Sequence, residues 1–571
     1  MTDDTRTGTE TGTRVPVRQE VDRLAEEYVD VLFEMEPLWP SVLGLDGTHD
    51  RLPDPSPAAE DRIRSAMRDI AGRAAAIDPS GLDEVRAVTR DVVVQQANAA
   101  LDTLDSRLVE FSVSDGLSSP AYSPLTMLPS LTLNDEAKAR GYLARLAALP
   151  SYLDAVADRQ RRGLADGLVP PDFLVQAGVD YAQRYLGAPE TDPLAIDPEI
   201  DLPDFAAERD RLLADAVRPA YARYRDFLRD ELAPHAVPAD RPGLGAQPGG
   251  AARYEGLIRV HTTTDRSAHE LHEIGLALIE DLAAQYRVLG ERVFGSTDLA
   301  EIFERLRTDP ALRWRDGDEL LEAARSAIRR AEAVAPQWFG LLPAGQCEVR
   351  PVPPAEAVGG TIAYYQLPAL DGSRPGVYFA NTFEATQRFR HTAEAIAFHE
   401  AVPGHHFQLG IALGQTEMPL LRRLADVNAF IEGWGLYAER LADEMGLYSD
   451  DVAKFGMLTQ DSMRAGRLVV DTGLHALGWS RGRAVEFLAA NTPMSGLEIE
   501  AEIDRYVANP AQALSYMVGR LEIERVRADA AEALGERFDI RAFHDVVLGN
   551  GNLPLSVLGD VVSRWVDGQR G

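Results

Sequence analysis

Residues 397–408 read AFHEAVPGHHFQ, and residues 428–439 read NAFIEGWGLYAE. Four of the eleven histidines, His391, His399, His405 and His406, fall in or just before the first stretch. Helices that bind catalytic zinc commonly carry two histidines four residues apart with a glutamate after the first. That step puts both imidazoles on one face and the carboxylate beside the reacting water. Here the fourth position after His399 is Pro403, and the next histidines come six and seven residues on. At ~100° per residue, an unbroken helix would turn His405 ~120° away from His399 and bring His406 nearly over it. Pro403 removes a backbone donor, however, and Gly404 relaxes the local dihedrals. A bulge at this pair would absorb two residues and return His405 to the face of His399. His405 is therefore the preferred second ligand, with His406 as the alternative; the one left over is expected near the metal or against substrate.

A third ligand is needed, and Glu432 lies within the apolar second stretch, where an unpaired carboxylate is costly unless a cation neutralises it. Glu439, seven residues on, shares its helical face and is placed to orient a ligand histidine. Glu400, adjacent to His399, is the natural general base. Each feature alone has a plainer reading: a His-Glu pair is often a surface accident, and a buried glutamate is often salt-bridged. A helix-breaking Pro-Gly beside two histidines, with a glutamate downstream, weighs towards a metal, taken as one zinc per chain. Cobalt and manganese also suit such a donor set.

Around these stretches helical periodicity dominates. Residues 21–32 (VDRLAEEYVDVL), 85–104 and 205–232 space apolar residues three and four apart. Ser267 and Glu270 form a capping box that opens a helix. Strand patterns are confined to residues 347–382, in CEVRPV, TIAYYQL and GVYFANT. The fold class predicted is mainly α, with a small antiparallel sheet ahead of the metal-binding helix. Pro/Gly-rich punctuation at residues 234–250 divides the chain into an N-terminal helical lobe (18–250) and a catalytic lobe (251–571), unless both form one continuous domain. A polar, disordered tail is expected over residues 1–17.

The net charge of −32 excludes a nucleic-acid partner, whose phosphates need a basic face, and it disfavours an anionic lipid surface. The single cysteine, Cys347, rules out an intramolecular disulfide or a cysteine zinc cluster. With no signal-peptide layout and no apolar run of the ~20 residues a membrane span requires, a cytoplasmic location is expected. Nothing in the sequence bears on the oligomeric state.

HEAVPGHHFQ and EGWGLYAE resemble the signature of the bacterial family catalogued as domain of unknown function 885. Further matches are EP at 36–37, HDRLPD at 49–54, VHTTTD at 260–265, DTGLHALGWSR at 471–481 and RYVANPAQALSYMVG at 505–519. Ala511 departs from the pattern, which has glycine after the proline, and this bears on a turn rather than on the metal. The family is similar to helical zinc peptidases of the thimet oligopeptidase, angiotensin-converting enzyme and thermostable carboxypeptidase type. That likeness implies two helical lobes around a cleft and hydrolysis of a peptide or amide bond in a small substrate.

A zinc peptidase also needs a donor for the oxyanion and groups for the substrate's ends. Tyr516, Tyr506 and His475 are candidate donors, while Arg505 and Arg467 are candidates to hold a carboxylate. Tyr364, Tyr365 and Tyr378 fall on predicted strands, where they either line the cleft or fill a core. Two further readings stand beside the hydrolase. One is a non-peptidase zinc enzyme (amidase, lyase or tailoring enzyme) on the same scaffold; the other is a binding protein with a vestigial site.

Overall fold

The computed structural model describes residues 17–570 other than 46, 117, 354–356, 358–361 and 373. The tail expected over residues 1–17 lies outside the described residues, save Val17, which opens the first helix. Periodicity and capping place the helices. Val17–Met35 (α1) and Glu84–Ser106 (α2) carry the expected apolar stripes, and Asp83 caps α2 by accepting the Arg86 N–H at 3.0 Å. Residues 205–232 are helical throughout, with π-helical turns at Leu213–Val217 and Leu228–Leu232. Gly250–Thr262 (α3) precedes Ala268–Phe294 (α4), and the Ser267–Glu270 capping box is present in both directions.

The sheet consists of Glu348–Pro351 (β1), Ala363–Gln366 (β2) and Val377–Ala380 (β3), in the order β1-β3-β2. β2 runs antiparallel to β3, with Tyr365 opposite Tyr378, whereas β1 runs parallel to it. The sheet is therefore mixed rather than antiparallel. Local strand patterns carry no direction; the chain must cross over between β1 and β3, and that long-range path sets their sense.

Six helices follow that build the site: Ala393–Glu400 (α5), His405–Gly414 (α6), Asn428–Glu444 (α7), Asp451–His475 (α8), Gly496–Ala508 (α9) and Ser515–Leu534 (α10). α4 lies along α8, and α7 lies along α10. The second pair approaches at backbone distance: a Cβ on Gly519 would sit 1.7 Å from the Ala429 carbonyl oxygen. Glycine is obligatory at that crossing.

The main apolar cluster joins Leu24, Val92 and Ala97 of the first helices to Phe398, Trp434 and Val566 far downstream. A second cluster gathers residues between Leu38 and Leu232, and a third forms around Trp479, Ile503 and Tyr506. Helices on both sides of residues 234–250 thus share the core that carries the site. No helix among the described residues is long and apolar enough to cross a membrane.

Candidate metal centre

The expected bulge is a full break. α5 ends at Glu400, residues 401–404 turn a corner that includes a cis Val402–Pro403 bond, and α6 starts afresh at His405. Loss of the Pro403 donor and the tight Gly404 approach to the His399 carbonyl end the helix outright. His399 therefore comes from the last turn of one helix and His405 from the first residue of the next. The corner is fastened from outside: the Trp434 indole N–H donates to the Pro403 carbonyl at 2.8 Å.

α7 supplies the rest of the site through consecutive residues. The Glu432 carboxylate Oε2 lies 3.4 Å from His399 Nε2 and 3.3 Å from His405 Nε2. Gly433 packs against Gly519, where a Cβ would meet the α10 backbone at 2.5 Å. Trp434 holds the corner, and Gly435 admits the His399 ring, whose Cε1 would lie 2.6 Å from a Cβ there. One turn further on, Glu439 is fully buried, and its Oε1 accepts from His399 Nδ1 at 2.9 Å. That bond turns Nε2 towards Glu432 and His405.

One ligand atom each from His399, His405 and Glu432 fall within 4.8 Å of one another. The His–Glu separations exceed the ~2.7–2.9 Å of a charge-assisted hydrogen bond. They match the ~3.3–3.4 Å edge of a tetrahedron whose donors sit ~2.0–2.1 Å from a central zinc. Glu432 Oε2 is buried and makes no hydrogen bond among the described residues, as does His405 Nδ1. These residues fit a tetrahedral cation with three protein ligands and one open position. Electrostatics agree: although burial opposes it, the neighbouring imidazoles hold the Glu432 carboxyl far below its ordinary range. Burial lowers the His399 pKa, but Glu432 and Glu439 more than reverse this and raise it to about 9.

His406 does not join this cluster. Its Nε2–H donates to the Gly345 carbonyl at 3.0 Å, and its Nδ1 accepts from the Tyr365 hydroxyl at 3.0 Å. With both nitrogens committed, it ties α6 to strand β2. Glu400 ends α5 next to His399, half-buried. Tyr516, on α10, stacks at 6.2 Å from the His399 ring, and Arg467 and Arg464 lie over it at 4.4 and 5.3 Å.

Arg467, Arg505 and Tyr506 form a second group around Glu502, which sequence reasoning missed. Its Oε2 accepts from Arg467 Nη2 at 2.6 Å, Arg505 Nη2 at 3.1 Å and the Tyr506 hydroxyl at 2.5 Å. The signal was available: Glu502 lies three residues before Arg505 and four before Tyr506 on one helix. His475 is placed elsewhere. Its Nδ1 accepts from the Leu244 backbone N–H at 2.9 Å, and its Nε2 donates to the Tyr506 carbonyl at 3.0 Å. Burial depresses its pKa to about 4. It fastens residues 234–250 to the end of α8, and nothing in its bonding turns it towards the triad.

The family comparison decides the kinship. The profile described as "Bacterial protein of unknown function (DUF885)" matches residues 37–562. The chain belongs to the DUF885 family. Two solved structures resemble this DUF885 chain. One is "the putative lipoprotein from Colwellia psychrerythraea", 27% identical, with a TM-score of 0.90 over 97% of this chain and 100% of that one. The other is "a putative lipoprotein of unknown function from Shewanella oneidensis", 17% identical, with a TM-score of 0.73 over 95% and 99% of the two chains. The second likeness shows the fold alone. No curated protein matches this DUF885 sequence.

Proposed function

We propose that this DUF885 protein is a zinc-dependent hydrolase that cleaves a peptide or related amide bond in a small substrate. The observation that carries the reading is the buried Glu432 oxygen, without a hydrogen bond among the described residues and held 3.3–3.4 Å from two imidazole nitrogens. A zinc ion held by His399, His405 and Glu432 would supply Lewis acidity, polarising a carbonyl and acidifying a water. Glu400 then accepts the proton of the attacking water and passes it to the leaving nitrogen. The Tyr516 hydroxyl donates to the oxygen on which negative charge develops. β2 is an edge strand whose Tyr365 is bonded to His406 on the ligand helix, so it is positioned to pair with an extended substrate backbone. The two-lobed cleft of helical zinc peptidases and a cytoplasmic location belong to this same proposal.

The test is metal content of the purified protein by mass spectrometry, followed by a peptide and acyl-amino-acid screen. About one zinc per chain is expected, lost in His399→Ala and Glu432→Ala. Glu400→Gln is expected to keep the metal and lose about 10²–10⁴-fold in rate. A protein that binds no divalent ion sinks the proposal. Turnover confined to non-peptide substrates would favour a tailoring enzyme on the same scaffold.

A further inference from the structure

Beside the triad, the group around Glu502 contains more positive than negative charge. Arg467 and Arg505 share the one Glu502 carboxylate, and the remaining partners in the group are neutral: the Tyr506 hydroxyl for Arg467 at 2.9 Å and the Gln512 amide oxygen for Arg505 at 2.8 Å. Arg464, three residues before Arg467 on α8, bonds the neutral amide of Gln460. Glu439, whose carboxyl feels the Arg464 charge, is already engaged by His399. Asp471 approaches the cluster too, but it is bonded to Tyr254 and the Ala511 N–H.

A buried guanidinium without a full complement of acceptors is costly, so it calls for an anion from outside. Arg467 Nη1 is such a group: it is buried and unpartnered among the described residues, on a side chain only 5% exposed. Arg505 forms the accessible face of the same cluster, with its side chain 34% exposed. Tyr516 links cluster to metal site, since its ring is in contact with both Arg467 and His399.

We propose that Arg505 and Arg467 together receive a free carboxylate of the substrate, on the far side of Tyr516 from the triad. The substrate class is then an N-acyl amino acid or a short peptide cut at its carboxyl end. This rests on the hydrolase reading for the bond broken, though not for the carboxylate bound.

The experiment uses zinc-loaded Glu400→Gln protein, titrated calorimetrically with two matched pools, N-acetyl dipeptides as free acids and as C-terminal amides. The acid pool is expected to bind about ten-fold tighter or more, and Arg505→Gln is expected to remove that preference while leaving amide binding unchanged. Arg467→Lys, which keeps the charge and loses the fork, should remove most of it; Arg505→Gln remains decisive if the buried variant misfolds. Equal affinity for the two pools, or no binding of either, overturns the assignment. Wild-type protein that prefers free acids but cleaves neither pool overturns the hydrolase reading alone. Cleavage of amides as fast as acids leaves that reading standing and removes this one.

Discussion

Glu439 is the residue on which the orientation of His399 depends. It is fully buried, it accepts from Nδ1 at 2.9 Å, and its second oxygen has no partner among the described residues. Glu439→Gln keeps the shape and loses the charge, so zinc affinity is expected to fall about 10–100-fold, read by competition with a chelator. At residue scale the sequence was also informative about a turn. Ala511, where the family pattern has glycine, adopts a left-handed φ of 69°. An L side chain pays about 1 kcal/mol there, so Ala511→Gly is expected to raise stability by about that amount in urea unfolding. A loss of stability would mean that the buried methyl contributes more through packing than the backbone loses.

Among the elements, α7 concentrates the design, because four adjacent residues all meet the site or the helices that frame it. Gly435 is the sensitive one: a methyl group there would collide with the His399 ring at 2.6–2.9 Å. Gly435→Ala is expected to abolish stoichiometric zinc binding while far-UV circular dichroism stays helical. The gain in helix propensity of about 1 kcal/mol offsets part of the clash. Unchanged zinc content would show that the ring can move without losing its ligand role. Much of this was legible beforehand, since Glu432 in an apolar run and histidines flanking a Pro-Gly are local signals. What escaped were non-local facts. Whether Pro403-Gly404 bulges or breaks a helix depends on Trp434, thirty-one positions away, satisfying the freed carbonyl. That His406 and His475 fasten loops follows from Gly345, Tyr365 and Leu244, and no spacing rule connects those residues to the histidines.

For the molecule as a whole, stability should carry a signature from Asp471, buried where α8 meets the turn at Ala511. Burial raises its pKa to about 7, despite bonds from the Tyr254 hydroxyl and the Ala511 N–H. Between about pH 4, where an unfolded aspartate ionises, and pH 7, the native state keeps a proton that the unfolded chain has released. Raising pH across that window therefore weakens folding. Asp471→Asn is expected to flatten the slope, measured as Tm against pH relative to the parent protein; parallel curves would remove Asp471 as the cause. Residues 234–250 read as a boundary between lobes or as a loop within one continuous domain; Gly243 and Gly245 lie against the carbonyls of Leu474 and His475, and helices before and after the segment share one core. The corner between the two ligand helices has one more consequence. Because two separate helices carry His399 and His405, helical pitch does not set the interval between them. A motif defined by a fixed count of residues between two histidines passes over an arrangement of this kind, and the tryptophan that pins the corner is the better landmark.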